Sequence, residues 1–188
     1  MRNCLHRCQR YRAVGNFHYP RSAIVTDIAV GGKPLPKLGF LAMPVIVVGA
    51  DTTSGEAILD GLVEPNREIR VFISDEQIAL RMKDQGFKVA LGDVSDESHV
   101  EAAATQCFTA ILIGEAAMDD RERAFIDEPS DILAAWSRAS SAAGVTRVIW
   151  VIDAEPPKTE TTEVAKVDPA DPNLVETVVH LDDAQVIS

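Results

Sequence analysis

The sequence predicts an open, doubly wound parallel α/β sheet, and three observations carry that prediction. From Met43 to Asp153, five short apolar runs of strand length alternate with four segments of helical character. The first run, Pro44–Gly49 (PVIVVG), is continuously apolar rather than alternating. Strands buried on both faces look like this, and they belong to parallel sheets. The run ends in the turn Gly49–Gly55, which feeds directly into a helical segment.

The elements follow in order. Thr53 to Val63 has helical spacing at Ile58 and Leu62, with a capping box at Thr53-Ser54-Gly55-Glu56. Glu68–Ser74 (EIRVFIS) is the second strand. Ser74-Asp75-Glu76-Gln77 is another capping box, and it opens a helix that ends before Gly86. Lys88–Leu91 is a short third strand, after which Ser95 or Asp96 caps a helix through Val100, Ala103 and Ala104. Thr109–Ile113 (TAILI) is the fourth strand, and residues 115–129 are acidic and loop-like. Ser130 caps a long helix with an apolar stripe of Ile132, Trp136, Ala139 and Ala143, which Gly144 terminates. Arg147–Ile152 (RVIWVI) is the fifth strand. Alternation at this spacing implies right-handed crossovers, with about five to six strands and helices on both faces. Glu155–Pro172 reads as a solvated linker, and Leu174–Leu181 as a sixth strand or a short helix. The organisation expected is a basic, disordered leader over residues 1–42, an α/β domain over 43–153, and an acidic, Pro-rich linker with a short terminal element over 154–188.

The net charge of −11 is unevenly spread. Residues 1–42 carry seven Lys/Arg and one Asp, whereas the rest carries 28 acids against 11 bases. Such a body repels phosphate backbones, so nucleic acid is not an expected partner. No apolar run approaches the roughly 18 residues needed to cross a bilayer, so no membrane role is expected. Cys4, Cys8 and Cys107 show no pairing pattern, which fits a reducing, cytoplasmic setting. Cys4, His6 and Cys8 have no second ligand pair after them, so no metal site is expected.

In doubly wound sheets, ligands bind beyond the carboxyl ends of the strands, where the first turn meets a helix N-terminus. Free amides and the helix dipole there favour a pyrophosphate. The turn Gly49-Ala50-Asp51-Thr52-Thr53-Ser54-Gly55 resembles the G-A-T-G-x-x-G turn of the NAD(P)-binding domain in atypical short-chain dehydrogenases. This is the NmrA-like, Rossmann-fold group that includes NADH-flavin-reductase-like proteins. Val71–Asp75, Gly86–Asp96 (GFKVALGDVSD) and Ala142–Val151 (AAGVTRVIWV) resemble further segments of that family, over about residues 43–153. The resemblance implies that Gly49, Asp51, Thr52, Thr53, Ser54 and Gly55 surround a pyrophosphate. It implies that Asp75 faces the adenosine ribose, that Asp93 and Val94 flank the adenine, and that Gly114 and Glu115 lie near the nicotinamide. Ser74 stands where an Arg would meet a 2′-phosphate, so of NAD and NADP the resemblance favours NAD.

Asp51 replaces the family's Thr, and Thr52 replaces its middle Gly. Asp51 and Glu56 bring two carboxylates to the turn, with no cation in it. The only tyrosines are Tyr11 and Tyr19, neither with Lys four residues on, and the fifth strand ends without Ser. No catalytic residues are therefore assigned. The expected function is a non-catalytic NAD(P)-binding module, such as a redox or nucleotide sensor. One alternative is a minimal oxidoreductase passing hydride to a flavin or quinone. The other is a degenerate domain kept for interaction with itself or a protein partner.

Overall fold

The computed structural model describes residues 43–64 and 67–187. The leader expected over residues 1–42 lies outside them. Twelve elements follow one another: β1 (Val45–Val48), α1 (Thr53–Leu62), β2 (Ile69–Ile73), α2 (Glu76–Asp84), β3 (Lys88–Leu91), α3 (Glu97–Ala104), β4 (Thr109–Ile113), α4 (Glu115–Met118), α5 (Pro129–Ala142), β5 (Arg147–Val151), β6 (Glu163–Val167) and α6 (Leu174–Asp183). The six strands form one sheet in the order β3-β2-β1-β4-β5-β6, and every pairing is parallel. This is the doubly wound α/β arrangement expected from the sequence.

The two faces explain the continuous apolar runs. Val45 and Val47 in β1, with Val71, Ile111 and Ile149, face a core shared with Ile58, Leu59 and Leu62 of α1 and Val178 of α6. Ile46 and Val48, with Phe72, Leu112 and Trp150, face a second core under Val100 of α3 and Trp136 of α5. Alternation along each strand is apolar on both sides because both sides are covered. Trp136 closes the second core with a polar tie: its Nε1–H donates to the Val94 carbonyl at 2.7 Å.

Several local expectations are corrected. Helix α1 is capped by Thr52, one residue before the expected box, and α2 is capped by Asp75 rather than Ser74. Of the two candidates for α3, Asp96 is the cap. Helix α5 begins at Pro129, with Glu128 before it and no side-chain cap, so Ser130 lies inside the first turn. Residues Glu115–Met118 of the expected loop form the short helix α4. The sixth strand is Glu163–Val167, inside the stretch read as linker, while Leu174–Asp183 is helical.

Arg147 ties these late elements to the sheet. Its side chain is wholly buried at the start of β5 and pairs with Glu163 of β6 at 2.6 Å. It also donates to the carbonyls of Leu181 at 2.8 Å and Ala184 at 2.7 Å, and lies over the Phe108 ring. One guanidinium thus satisfies a buried carboxylate and the C-terminal carbonyls of α6.

Candidate functional site

The strand order reverses between β1 and β4, so the crevice beyond their carboxyl ends is the expected binding edge. Gly49 ends β1 at φ +82, and a Cβ there would stand 2.6 Å from that of Ala116. Gly55 is required for a different reason: its Cβ would fall 2.4 Å from the Gly49 carbonyl oxygen. That contact lets α1 start tight against the strand end.

Thr52 is turned inward and only 5% exposed. Its hydroxyl donates to the Gly49 carbonyl at 2.8 Å and accepts from the Gly55 amide at 3.1 Å. The hydroxyl of the side chain that replaces glycine is therefore spent inside the turn. The Ser54 amide meets a carboxylate oxygen of Glu115 at 3.4 Å. Among the described residues, the amides of Ala50, Asp51 and Thr53 have no protein acceptor. A turn with open amides that already draws a carboxylate fits an anionic group, as a pyrophosphate is.

Two clefts flank the turn. The first, about 520 Å³, is lined by Asp51, Ser74, Asp75, Asp93, Arg121 and Glu122. Asp75 stands at the end of β2, but its carboxylate caps α2 by accepting from the amides of Gln77 at 2.7 Å and Ile78 at 2.9 Å. Asp93 accepts from Ser95 Oγ at 2.7 Å and from the Ala124 amide at 2.6 Å. Burial pushes its carboxyl up, but these hydrogen bonds outweigh burial and hold it below the ordinary carboxylate range. Val94 is fully buried and faces the core rather than the cleft. The second cleft, about 380 Å³, is lined by residues that include Ser54, Ile113, Gly114, Glu115, Met118, Val151 and Ile152. It is mainly apolar. The structure thus places Gly49, Asp51, Thr52, Thr53, Ser54 and Gly55 in one turn, Asp75 and Asp93 on one side of it, and Gly114 and Glu115 on the other.

The sequence reading missed Arg121. No cation lies within the turn, but the loop after α4 brings one to it. Arg121 Nη1 is 3.1 and 3.2 Å from the two Asp51 oxygens and 3.3 Å from Ser74 Oγ. Its Nη2 is 2.6 Å from Asp119. Burial works against its charge, but Asp119 and Asp51 more than offset that and keep it protonated. The other turn carboxylate, Glu56, pairs with Arg81 of α2. The alternation of bases and acids in Asp119-Asp120-Arg121-Glu122-Arg123 is the signal that could have revealed this.

No group of His, Cys, Asp or Glu among the described residues has the geometry to hold a metal. No helix among them is long and apolar enough to cross a membrane. Cys107 is buried, and burial raises its thiol pKa, which disfavours a nucleophilic thiolate.

No family model and no curated protein matches the sequence. Solved structures do. One is described as an anaerobillin reductase from Escherichia coli O157:H7, 23% identical, at a TM-score of 0.45 over 57% of this chain and 50% of that one. Another is an NADPH-dependent quinone oxidoreductase from Escherichia coli, 20% identical, at 0.44 over 57% and 34%. A third is a triphenylmethane reductase from Citrobacter sp. complexed with NADP(H), 19% identical, at 0.48 over 57% and 36%. The chain therefore spans half or less of these proteins. The strand order and the glycine turn give this chain a Rossmann-like, doubly wound α/β fold.

Proposed function

We propose that the domain binds a nicotinamide dinucleotide across the carboxyl edge of its sheet. The observation that carries this reading is the turn itself: the amides of Asp51 and Thr53, without a protein acceptor among the described residues, lie at the entry to α1 between a polar cleft and an apolar one. In this reading the amides of the Gly49–Gly55 turn hold the pyrophosphate, and Ser54 exchanges Glu115 for a phosphate oxygen. Asp75 and Asp93 face the adenosine half. Gly114 and Glu115 flank the nicotinamide half. NAD(H) suits the polar cleft better than NADP(H), because Asp51, Asp75, Asp93 and Glu122 outnumber Arg121 around it.

The apolar cleft favours the oxidoreductase reading over a purely sensory one. Ile113, Met118, Val151 and Ile152 offer a flat aromatic acceptor an apolar surface beside the nicotinamide half. A bound reduced nicotinamide supplies hydride. Among the described residues no Tyr lines the cleft, and an acceptor such as a flavin or quinone, which takes its proton from water, needs no such acid. Thermal-shift titration with NAD(H) and NADP(H), followed by diaphorase assays on flavin and quinone acceptors, tests both steps. A dinucleotide shift with acceptor reduction is expected. The absence of any shift at millimolar dinucleotide would refute binding, and a shift without acceptor reduction would leave the non-catalytic module.

A further inference from the structure

The polar cleft contains one cation among its lining residues, and that cation is already claimed. Arg121 reaches Asp51 through Nη1 and Asp119 through Nε and Nη2. Asp51 in turn accepts from the Ser74 amide at 3.2 Å. It thereby joins the end of β1, the end of β2 and the loop carrying Arg121. The same Nη1 lies 3.3 Å from Ser74 Oγ, so the guanidinium stands at the tip of β2 next to Asp75. In the binding mode proposed above, that tip meets the adenosine ribose.

We propose that the Asp51–Arg121 pair determines which dinucleotide the cleft accepts. Asp51 holds the guanidinium against the turn and cancels the charge that a ribose 2′-phosphate would need. A 2′-phosphate brings close to two negative charges. It would face Asp51, Asp75, Asp93 and Glu122 with Arg121 already paired. A free 2′-hydroxyl brings none of that repulsion, and a carboxylate at the β2 tip can accept from it. Neutralising Asp51 reverses the balance. Arg121 then keeps only Asp119 as partner, and Nη1 is free to point past Ser74 at an anion. Specificity here comes from a cation sequestered inside the cleft rather than from its absence.

This inference rests on the dinucleotide reading, and the test separates the two. Asp51→Asn keeps an oxygen for the Ser74 amide while removing the charge. Dissociation constants for NAD(H) and NADP(H) are measured by calorimetry on the wild type, Asp51→Asn, and Asp51→Asn with Arg121→Gln. The wild type is expected to prefer NAD(H). Asp51→Asn is expected to gain about tenfold for NADP(H) relative to NAD(H), the factor one charge-assisted hydrogen bond supplies. The double variant is expected to lose that gain. Asp51→Thr repeats the measurement should Asp51→Asn lack a cooperative melt. Wild-type preference for NADP(H), or NAD(H) binding with no relative gain in the Asp51 variants, overturns the inference and leaves the reading standing. No binding of either dinucleotide to any variant overturns both.

Discussion

Arg121 and Asp51 are 70 residues apart, yet Nη1 of one lies 3.1 and 3.2 Å from both carboxylate oxygens of the other. The pair fastens the loop after α4 to the glycine turn. The fastening continues along the loop, because the Ala124 amide donates to Asp93 and the Phe125 amide to Ser95 Oγ. The loop is therefore a strap along the rim of the polar cleft. Arg121→Ala should leave Asp51 and Asp119 facing each other without a cation. The expected loss is about 3 kcal/mol, the cost of breaking a largely buried pair from one side. Urea denaturation measures it, and a double-mutant cycle with Asp51→Asn should show coupling above about 1 kcal/mol. Additive losses would mean that the pair does not hold the strap.

Arg147 supports a second prediction at the opposite edge of the sheet. Arg147→Met removes the charge that Glu163 meets and leaves carbonyls of α6 without a donor. About 3 to 5 kcal/mol should be lost, since an uncompensated buried carboxylate remains. Amide exchange should quicken most in β6 and α6, where these contacts end. Uniform quickening across all six strands would show instead that Arg147 supports the whole sheet equally.

How legible these features were follows from their physics. Strands β1, β4 and β5 lie inside the sheet, are fully buried, and announce themselves as apolar runs. Strand β6 is an edge strand reading EVAKV, with only Glu163 and Val167 buried. Its charges made it look like linker, since nothing in the sequence tells that Glu163 neutralises Arg147. LVETVVHL carries β-branched residues and helical spacing together, so its state is settled by packing on α1 and not by period. In the site, the glycine turn was legible because Gly49 and Gly55 are set by local geometry. Arg121 was legible only as part of the mixed-charge run Asp119–Arg123, because nothing local names a partner 70 residues away. Asp75 and Asp96 were legible as caps within a residue, which is the reach of side-chain-to-amide bonding.

Acid should destabilise the strap before the sheet. Hydrogen bonds from Ser95 and Ala124 outweigh burial at Asp93, and those from Arg121 outweigh it at Asp119, so both carboxyls are held low. A group depressed in the folded state stabilises above its unfolded value, near 4 for Asp. That contribution shrinks as pH falls through about 4, because the unfolded chain protonates first, and it is gone once the folded carboxyls protonate. Denaturation midpoints from about pH 6 to pH 2.5 should therefore fall through this window. Asp93→Asn should lower stability at neutral pH and flatten the acid slope. An unchanged slope would place the acid sensitivity elsewhere, for instance at Glu68 or Asp96, which are also held low.

Glu115 gives the prediction in which stability and binding move in opposite directions. Its exposed side chain reaches the Ser54 amide at 3.4 Å, a long contact with the positive end of α1. A carboxylate there stabilises the helix by about 0.3 to 1 kcal/mol. It also occupies the amide that a pyrophosphate would use, and repels the phosphate charge. Glu115→Gln should therefore lower stability by a few tenths of a kcal/mol. The same change should strengthen dinucleotide binding about two- to fivefold, the same energy released to the ligand. Calorimetric titration with NAD(H), beside urea denaturation of the free protein, reads both quantities. Opposite signs would identify Glu115 as an internal competitor for the turn. Weaker binding together with lower stability would show that Glu115, which lines the apolar cleft, contacts the ligand itself.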